Sequence, residues 1–309
     1  MVPEAHGGAG RGLLEMMVVL EEMGRVPYAG PFLSSAVLAT STAARLGLDD
    51  RLAALADGSE RGTVAIDEQG HGDVVSRIRT LATRRSGAWT LRGTKALVLD
   101  GDTADWVLVP ARTQHGIGTF LIESPAAPAD ATLDVSRSIS RLDLDATPAM
   151  AVGPDGDHTA IWQRVVDDGA VALAAESLGA MQASFELAID YAKVRVQFDR
   201  PIATFQATKH KAAELLERIE LSRVGIHYAA WASDVDDPKR AEAAAMAKSF
   251  TGRAANEVTG EGIQIHGGVG FTWDCDAHLY YRRAKANDLL LGAHGIWRRR
   301  VEDSYLATH

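Results

Sequence analysis

Residues 191–206 read YAKVRVQFDRPIATFQ and lie where two long helical patterns meet. The pattern predicts that one helix ends near Arg195, that Pro201 interrupts the chain, and that a new helix begins three residues later at a hydroxyl residue, a common N-cap type. Arg195 and Gln197 would then stand at a helix junction beside Phe198. This arrangement suits contact with a phosphate and an aromatic ring. A polar connection between two helices explains the same residues.

Long helical patterns extend on both sides of this junction. The predicted helices cover about 159–195, 204–235, 239–265, 276–290 and 295–306. Because the connections between these helices are short, residues 154–309 are expected to form an antiparallel helical bundle.

A second informative stretch, GIQIHGGVGFTWD, follows the third of these helices at residues 262–274. Gly267 and Gly268 would let a ligand approach the backbone closely, and the Gln264 amide can bond a planar amide or a phosphate oxygen. A glycine C-cap of the helix is the competing interpretation. His266 is expected to be a packed or capping histidine rather than a catalyst.

The region before the bundle has a different pattern. Residues 61–153 contain short apolar runs, TVAID, AWTLRG, KALVLDG, DWVLVPAR and GTFLIES, each bounded by Gly, Asp or Pro. Such runs are typical of strands, and about ninety residues of them predict a small barrel or sandwich. Within this region LRGTK is expected to be a tight hairpin connection, with Gly93 at positive φ.

The first sixty residues are helical in pattern, so the predicted fold class is α+β with three domains. The expected boundaries are 1–60 for an N-terminal helical domain, 61–153 for a middle β domain and 154–309 for a C-terminal helical bundle.

Composition excludes several functional classes. The net charge of −9 argues against general nucleic-acid binding, which needs clustered positive charge. Cys275 is the only cysteine, so an intrachain disulfide is impossible and a reducing cytosol is expected. The first residues lack a signal-peptide pattern, and no run of about 18 apolar residues occurs. The chain is therefore expected to be cytoplasmic, without a membrane span.

Common catalytic motifs are absent as well. HGGAGRG at residues 6–12 does not have nucleotide-loop spacing, and a flexible loop ahead of a helix is the preferred interpretation. H-E-x-x-H and G-x-S-x-G do not occur. Glu68 and His71 form a Glu-x-x-His pair, but it lies in the β region rather than on a bundle helix, so no metal site is expected.

Taken together, these stretches resemble the acyl-CoA dehydrogenase family. The resemblance is carried by VPEAHGGAG, GTKALVLDGDTADWVLVPAR, RVQFDRPIATFQATKHKAAEL, GIQIHGGVGFTWD and YYRRAK, which occur in the family's order and spacing over nearly the whole chain. Family members usually have a longer stretch of helix before the VPE motif. The resemblance therefore implies the family fold with a truncated N-terminal helical domain.

The resemblance also implies a reaction and a cofactor. Family members remove the α-hydrogen of an acyl-CoA thioester as a proton while a hydride passes from the β-carbon to N5 of FAD, which requires a carboxylate base. The FAD lies at a subunit interface, where one protomer contacts the isoalloxazine ring and a neighbour contacts the pyrophosphate and adenosine. The family's electron acceptor is an electron-transfer flavoprotein.

Mapped onto this sequence, the half of the FAD site that is donated to a neighbour is retained. The matching residues are Arg195, Gln197, Phe198, Gln206, Gln264, Gly267 and Gly268. Asp199 departs from the family, which usually has Gly there, and its carboxylate would repel a pyrophosphate unless it is turned away.

The half that serves the protomer's own flavin is reduced. Leu97 and Leu99 stand where the family places an aromatic residue and a Thr or Ser that contact the flavin. The family's T-E-P…G-S-D strand motif here reads AIDEQGHGD, which leaves at best Asp67 and Glu68 to bond the flavin edge.

The catalytic base is missing from both positions that the family uses. One group of family members has a Glu before Gly in the segment after R-x-A-K, and this position is Leu291. A second group has it on the helix before the Arg195 motif, and counting back from the Leu-Gly pair gives Gly169. Asp168 lies one residue away, a rotation of about 100° on a helix. Asp168 and Glu176 are therefore weak candidates, and solvated or interface carboxylates are the preferred interpretation.

Three hypotheses follow. The chain is a self-sufficient homo-oligomeric dehydrogenase with an atypical base, a non-catalytic subunit that lends its FAD pyrophosphate and adenosine site to a catalytic partner, or a structural relic of the family. The resemblance supplies a precedent for the second, since some family members that act on steroid-CoA side chains are α₂β₂ heterotetramers. Because only the donated half is retained, the second hypothesis is favoured, within β-oxidation of a fatty-acid or steroid side chain.

Overall fold

The computed structural model describes residues 1–70 and 72–308. The strands are β1 (Gly62–Val64), β2 (Leu81–Arg85), β3 (Ala88–Leu99), β4 (Trp106–Thr113), β5 (Gly116–Glu123), β6 (Ile139–Val152), β7 (Val196–Gln197) and β8 (Arg200–Pro201). The α-helices are α1 (Leu13–Arg25), α2 (Thr40–Leu46), α3 (Asp49–Asp57), α4 (Thr159–Val194), α5 (Gln206–Asp234), α6 (Arg240–His266), α7 (Ala277–Leu289) and α8 (His294–Thr308). A π-helical segment, Phe32–Ala39, precedes α2.

The contacts divide the chain into two compact units. Unit 1 comprises Met1–Leu13, Ala29–Thr132 and Arg137–Gly169, and unit 2 comprises Leu14–Tyr28, Leu133–Ser136 and Ala170–His309. The boundary therefore falls inside α4. The alternation of helical, β and helical segments confirms the predicted α+β class, whereas the three-domain division at 60 and 153 stays a prediction.

Unit 1 is built around a small barrel. Its strand order is β1-β4-β2-β3-β6-β5, and β4 also pairs with β5, so that the sheet closes on itself. Apolar side chains from alternate positions of these strands fill the interior, because successive side chains point to opposite faces. The buried cluster consists of Ala65, Leu91, Val98, Val107, Val109, Ala111, Phe120, Ile122, Ala127, Leu142 and Leu144.

The predicted hairpin at LRGTK is wrong, because β3 continues through it as one strand paired with β6. Gly93 has φ +153°, and a Cβ at this position would lie 2.6 Å from Oγ1 of Thr80 and 2.9 Å from its Cα. Glycine is therefore required for close approach of two backbones rather than for a turn. A register shift follows between Lys95 and Val98, where Leu97 adopts φ +50°.

Unit 2 consists of long helices, as the bundle prediction expects. Close packing of α1 on α4 depends on two glycines: a Cβ on Gly24 would lie 2.0 Å from the Glu176 carbonyl oxygen, and one on Gly179 would lie 1.8 Å from that of Glu21. Any larger residue would separate these helices. Among the described residues, none of the helices has the length and apolar composition needed to cross a bilayer.

Candidate functional site

The retained family residues lie at one end of unit 2, where α4 and α6 end and α5 begins. Tyr191, in the last turn of α4, stacks on His266, the last residue of α6, with ring centroids 4.6 Å apart. Lys211 in α5 lies 3.4 Å from the Glu261 carboxylate in α6. These contacts bring the two stretches that the sequence singled out, at Arg195 and at Gly267, to the same end of the helices.

Between α4 and α5 the chain forms a two-residue hairpin. Val196 and Gln197 pair with Arg200 and Pro201, and the Ile202 amide donates to the Arg195 carbonyl at 2.8 Å. The two turn residues, Phe198 and Asp199, have φ of +52° and +59°. Positive φ at both positions defines a type I′ turn, which favours Asn-Gly, so a Phe-Asp pair stores backbone strain of about 1 kcal/mol or more per residue.

The hairpin presents its functional groups to the exterior. Phe198 is 87% exposed, and its ring meets Phe205 edge-on at 6.2 Å. Gln197 is exposed, and its side-chain amide donates to the neighbouring Val196 carbonyl at 2.8 Å. Arg195 is exposed, and within the described part of the chain its guanidinium makes no hydrogen bond or ion pair. Gln206, the first residue of α5, is exposed beside His210.

In the second stretch, residues 262–274, the residues that match the family are also exposed to solvent. Gln264, Gly267 and Gly268 are exposed, and no atom lies within 4 Å of a Cβ placed on either glycine. His266 is buried, with Nδ1 2.7 Å from the Gly262 carbonyl oxygen, so it packs inside the end of α6 as the preferred interpretation expects. A guanidinium, side-chain amides and bare glycine backbone are groups that bind phosphate oxygens. All of these groups are exposed at the same end of unit 2.

The positions that would serve the chain's own flavin carry no polar side chain. Leu97 sits on the β3 bulge at φ +50° and is 42% exposed, while Leu99 is buried. Neither side chain can donate or accept a hydrogen bond. The side chains at these two positions therefore offer a flavin ring only apolar contact.

Asp67 and Glu68 are held within unit 1 instead of facing a ligand. Asp67 pairs with Arg77 at 2.8 Å. Glu68 accepts from the Lys95 ammonium at 2.7 Å, from the Thr80 amide at 3.0 Å and from its hydroxyl at 2.7 Å. Lys95 is fully buried. Both carboxylates are therefore paired with cations of the same unit, and their contact with a flavin stays a prediction.

The Glu68–Lys95 pair makes stability depend on pH. Burial opposes ionisation of Glu68, but the Lys95 ammonium and the Thr80 hydrogen bonds outweigh it, so the pKa of Glu68 lies below its ordinary value of 4.5. Because the folded-state pKa is the lower one, the stabilisation is complete above about pH 4.5 and is lost as the pH falls through the folded-state pKa. Glu68→Gln should cost roughly 3 kcal/mol at pH 7.

Denaturant unfolding at pH 7, 5 and 3 measures this effect. The difference between wild type and Glu68→Gln should shrink as the pH falls, because protonated Glu68 resembles glutamine. Asp145→Asn, which removes the exposed partner of Arg92, is the matched control and should cost little at any of these pH values. A difference between wild type and Glu68→Gln that stays constant from pH 7 to pH 3 would contradict this assignment.

Leu291, at the first family position of the base, is buried in the connection between α7 and α8. It has φ +57°, an uncommon conformation for leucine, and its carbonyl and that of Gly292 both accept from the Trp297 indole at 3.1 Å. Asp288 anchors the same connection by accepting from the His294 amide at 2.9 Å. Leucine has no ionisable group, so this position cannot transfer a proton.

The alternative base candidates are engaged in ion pairs. Asp168 is buried and accepts from Arg45 at 2.8 Å, with Arg164 at 3.3 Å. Gly169, the second family position, has no side chain. Glu176 is buried and accepts from Arg283 at 2.5 Å and from the Asn287 amide at 3.0 Å. Both carboxylates are thus engaged in buried ion pairs, and a role for either as base stays a weak prediction.

Sequence reasoning missed the buried cation Arg283. Its guanidinium is fully buried and donates to Asp134 at 2.6 Å, Glu176 at 2.5 Å, and the backbone and hydroxyl oxygens of Ser136. It also donates to the Tyr28 carbonyl at 3.0 Å. In the sequence, the one sign of a buried arginine is the adjacent pair in YYRRAK. Neighbouring residues on a helix point in different directions, so one arginine of the pair can face the interior while the other faces solvent.

Among residues 1–70 and 72–308, no group of three or more His, Cys, Asp or Glu side chains could hold a metal ion. His71, which forms the Glu-x-x-His pair with Glu68 in the sequence, lies outside the described residues.

A family model described as "Acyl-CoA dehydrogenase, C-terminal domain" matches residues 158–306. The chain is 31% identical over 303 residues to the acyl-CoA dehydrogenase IpdE2 of Mycolicibacterium smegmatis, an alignment that covers 98% of this chain and 82% of that protein.

Two solved structures are similar over the full length of the chain. A variant of the Tcur3481-Tcur3483 steroid ACAD gives a TM-score of 0.89 at 33% identity and covers 100% of this chain and 85% of that one. The ChsE4-ChsE5 complex from Mycobacterium tuberculosis gives a TM-score of 0.88 at 31% identity, with coverage of 99% and 84%.

Proposed function

The chain belongs to the acyl-CoA dehydrogenase family of FAD-dependent oxidoreductases, and from this premise we propose that it is the non-catalytic subunit of a heteromeric acyl-CoA dehydrogenase. In this assembly the chain supplies the pyrophosphate and adenosine contacts of an FAD whose isoalloxazine ring and substrate are held by a catalytic partner. The proposed reaction is α,β-dehydrogenation of an acyl-CoA thioester.

One observation carries the proposal, namely the contrast between the two halves of the family's cofactor site. The donated half keeps an exposed guanidinium, exposed amides and open glycine backbone at one end of unit 2. The half for the chain's own flavin has apolar side chains at Leu97, Leu99 and Leu291. Loss confined to one half is expected of a subunit that completes a neighbour's site. A relic would lose both halves, and a self-sufficient enzyme would keep both.

The donated residues fit the phosphate-bearing part of FAD. Arg195 can pair with the pyrophosphate, and Gln197 and Gln264 can donate amide hydrogens to phosphate or adenosine oxygens. Gly267 and Gly268 would allow the dinucleotide to touch the backbone. When bound in the assembly, FAD supplies the hydride acceptor. The residues of this chain hold and orient the cofactor, and the base that removes the α-proton comes from the partner.

The similar structures support a heteromeric assembly and a steroid-type substrate. One is described as a steroid ACAD with two named components, and the other as a complex of two named components. By this likeness we propose an α₂β₂ assembly, an acyl-CoA with a steroid side chain or a fatty acyl group as the substrate class, and an electron-transfer flavoprotein as the acceptor.

Co-expression tests this function. The chain is purified alone and together with each acyl-CoA dehydrogenase of its source organism, and the products are examined for flavin absorbance and for bleaching by a panel of acyl-CoA thioesters. We expect a colourless chain alone and a yellow complex that is bleached by substrate. A chain that binds FAD and turns over without a partner would show instead a self-sufficient enzyme with an atypical base.

Asp199 provides a prediction about the strained hairpin. Asp199→Gly removes both a carboxylate beside the proposed pyrophosphate and a side chain from a residue at φ +59°, so it should strengthen FAD binding by the complex about 3- to 10-fold. Asp199→Asn is the matched control, because asparagine tolerates positive φ but has no charge. Isothermal titration of FAD into the complex separates the two effects. Equal affinity in all three proteins would mean that Asp199 faces away from the cofactor.

A further inference from the structure

The rings of Tyr191 and His266 form a contact beneath the exposed residues of the candidate site. Tyr191 belongs to the last turn of α4, and His266 is the last residue of α6. The two rings stack with centroids 4.6 Å apart and an angle of 29° between their planes. Tyr191 is half-buried and His266 is buried. One aromatic contact therefore joins the ends of the two helices from which the retained family residues extend.

Each ring belongs to a residue that adjoins an exposed group of the site. On the α4 side, the Tyr191 carbonyl accepts from the Arg195 amide at 2.9 Å, so the Arg195 backbone continues the helix that carries the tyrosine. On the α6 side, His266 is followed directly by Gly267, which has φ +65° and whose amide donates to the Gln264 carbonyl. A displacement of either ring would therefore move an exposed group with it.

His266 is held in one orientation. Its Nδ1 lies 2.7 Å from the Gly262 carbonyl oxygen, and because a carbonyl oxygen only accepts, Nδ1 carries the proton. Gly270, in the 3-10 helix Gly267–Phe271, packs closely against the same residue, since an added Cβ would lie 3.0 Å from the His266 Cβ. These contacts restrict rotation of the imidazole, so the ring presents a constant face to the stack.

Close packing of α4 and α6 continues behind the stack. Two turns before Tyr191, Ser184 lies so near to α6 that a Cβ on Gly262 would be 2.5 Å from its Oγ. Ala188, between the two on α4, is fully buried. Ser184, Ala188 and Tyr191 are spaced at four and three residues, so they lie on one face of the helix. The stack therefore lies at the end of a closely packed face between the two helices.

Side chains that bind one ligand from two helix ends need a fixed alignment, because binding is strongest when the contacting groups are held in place beforehand. Arg195 and Gln264 are exposed, and within the described part of the chain they do not hydrogen-bond to each other. The Lys211–Glu261 ion pair joins α5 to α6, but it is partly exposed, and such pairs contribute little. The alignment of α4 with α6 therefore depends on the packing beneath the surface.

We propose that Tyr191 and His266 are positioning residues for the cofactor. Their stack holds Arg195 and the segment Gln264–Gly268 at the spacing that lets both bind the same pyrophosphate. This inference rests on the proposed function and deepens it, because it assigns a role in FAD binding to two side chains that act through the protein. A stack that served packing alone would affect only stability.

The test measures the FAD affinity of the complex with the catalytic partner, by fluorescence titration well below the melting temperature. Tyr191→Leu removes the aromatic face and should weaken FAD binding about 10-fold. Tyr191→Phe keeps the ring and should stay within about twofold of the wild type. His266→Gln keeps a donor for the Gly262 carbonyl but removes the ring, so it should weaken binding about as much as Tyr191→Leu. Wild-type affinity in both Tyr191→Leu and His266→Gln would overturn the positioning role.

Tyr280 provides the matched control for lost stability. It is a partly buried tyrosine of unit 2 whose hydroxyl donates to the Arg25 carbonyl at 3.0 Å. Tyr280→Leu should lower the melting temperature but leave FAD affinity within about twofold of the wild type. If Tyr280→Leu weakens FAD binding as much as Tyr191→Leu does, the loss at Tyr191 is a general effect of destabilisation, and the positioning role is wrong.

A double-mutant cycle with Arg195→Ala shows whether the stack acts through Arg195. Once the guanidinium is gone, its alignment no longer matters, so the loss caused by Tyr191→Leu should fall from about 10-fold to about twofold. A 10-fold loss in both backgrounds would contradict the positioning role, although the proposed function stands as long as Arg195→Ala itself weakens FAD binding. Wild-type FAD affinity in Arg195→Ala would instead contradict the proposed function, and the positioning role with it.

Discussion

Replacing Arg283 by methionine should lower the free energy of unfolding by about 3–5 kcal/mol, the largest effect on stability expected of any single substitution discussed above. The guanidinium is fully buried and ties Asp134 to Glu176. Methionine fills part of the space but removes the charge-assisted hydrogen bonds that both buried carboxylates accept from Arg283. The penalty is the desolvation of those carboxylates, which the wild-type protein offsets with charge-assisted hydrogen bonds.

Chemical denaturation measures this loss, and the neighbouring residue provides the control. Arg282 is partly exposed, donates to the Leu133 carbonyl at 3.0 Å and stacks on Trp273. Arg282→Met should cost less than about 1 kcal/mol. Similar losses for the two variants would mean that the Arg283 ion pairs contribute no more than a surface contact. The pKa of Asp134 gives a second readout: burial opposes ionisation, but Arg283 and Ser136 outweigh it and keep the pKa below its ordinary value. Arg283→Met should raise it.

Arg195→Ala should weaken FAD binding by the proposed complex about 100-fold without unfolding this chain. A guanidinium on a pyrophosphate forms charge-assisted hydrogen bonds, which are the strong ones among polar contacts. The Arg195 side chain is exposed and makes no ion pair within the described part of the chain, so its removal should leave the melting temperature unchanged. Fluorescence titration of FAD measures the first effect and a thermal melt measures the second.

Two further variants complete this experiment, one at Arg195 itself and one at an arginine of unit 1. Arg195→Lys keeps the charge but not the planar fork, so it should recover only part of the affinity. Arg92→Ala, which removes an exposed arginine of unit 1, should bind FAD as the wild type does. Unchanged FAD binding in Arg195→Ala would show that the residue does not contact the cofactor, and a collapse of the melting temperature would show that it is structural.

The helices of the bundle were predictable because their boundaries are set by local signals. Pro201 and the hydroxyl at Thr204 place the break between α4 and α5 within a few residues of its observed position. The strand β3 was not predictable in the same way. Gly93 has the sequence context of a turn residue, but in the structure it allows close approach to Thr80 across the β2–β3 pairing. Only tertiary contact distinguishes these two uses of glycine.

The candidate site, like the fold, was predictable from the sequence only in part. The absence of an acid at Leu291 is visible in the sequence, since no conformation lets leucine accept a proton. The engagement of Asp168 with Arg45 and of Glu176 with Arg283 is not visible, because each pair joins residues far apart in the chain. The strain at Phe198 and Asp199 also required backbone angles. Residue identity therefore predicts which chemistry is impossible, whereas the partners of a buried charge emerge only in the fold.

The ratio of FAD to chain tests the central claim most directly, because it counts the cofactor sites that this chain completes by itself. Flavin released by denaturation is measured against protein concentration for the chain alone and for the complex with its catalytic partner. We expect no stoichiometric FAD in the chain alone and one FAD for each pair of one chain and one partner in the complex. One FAD per copy of this chain when it is purified alone would contradict it.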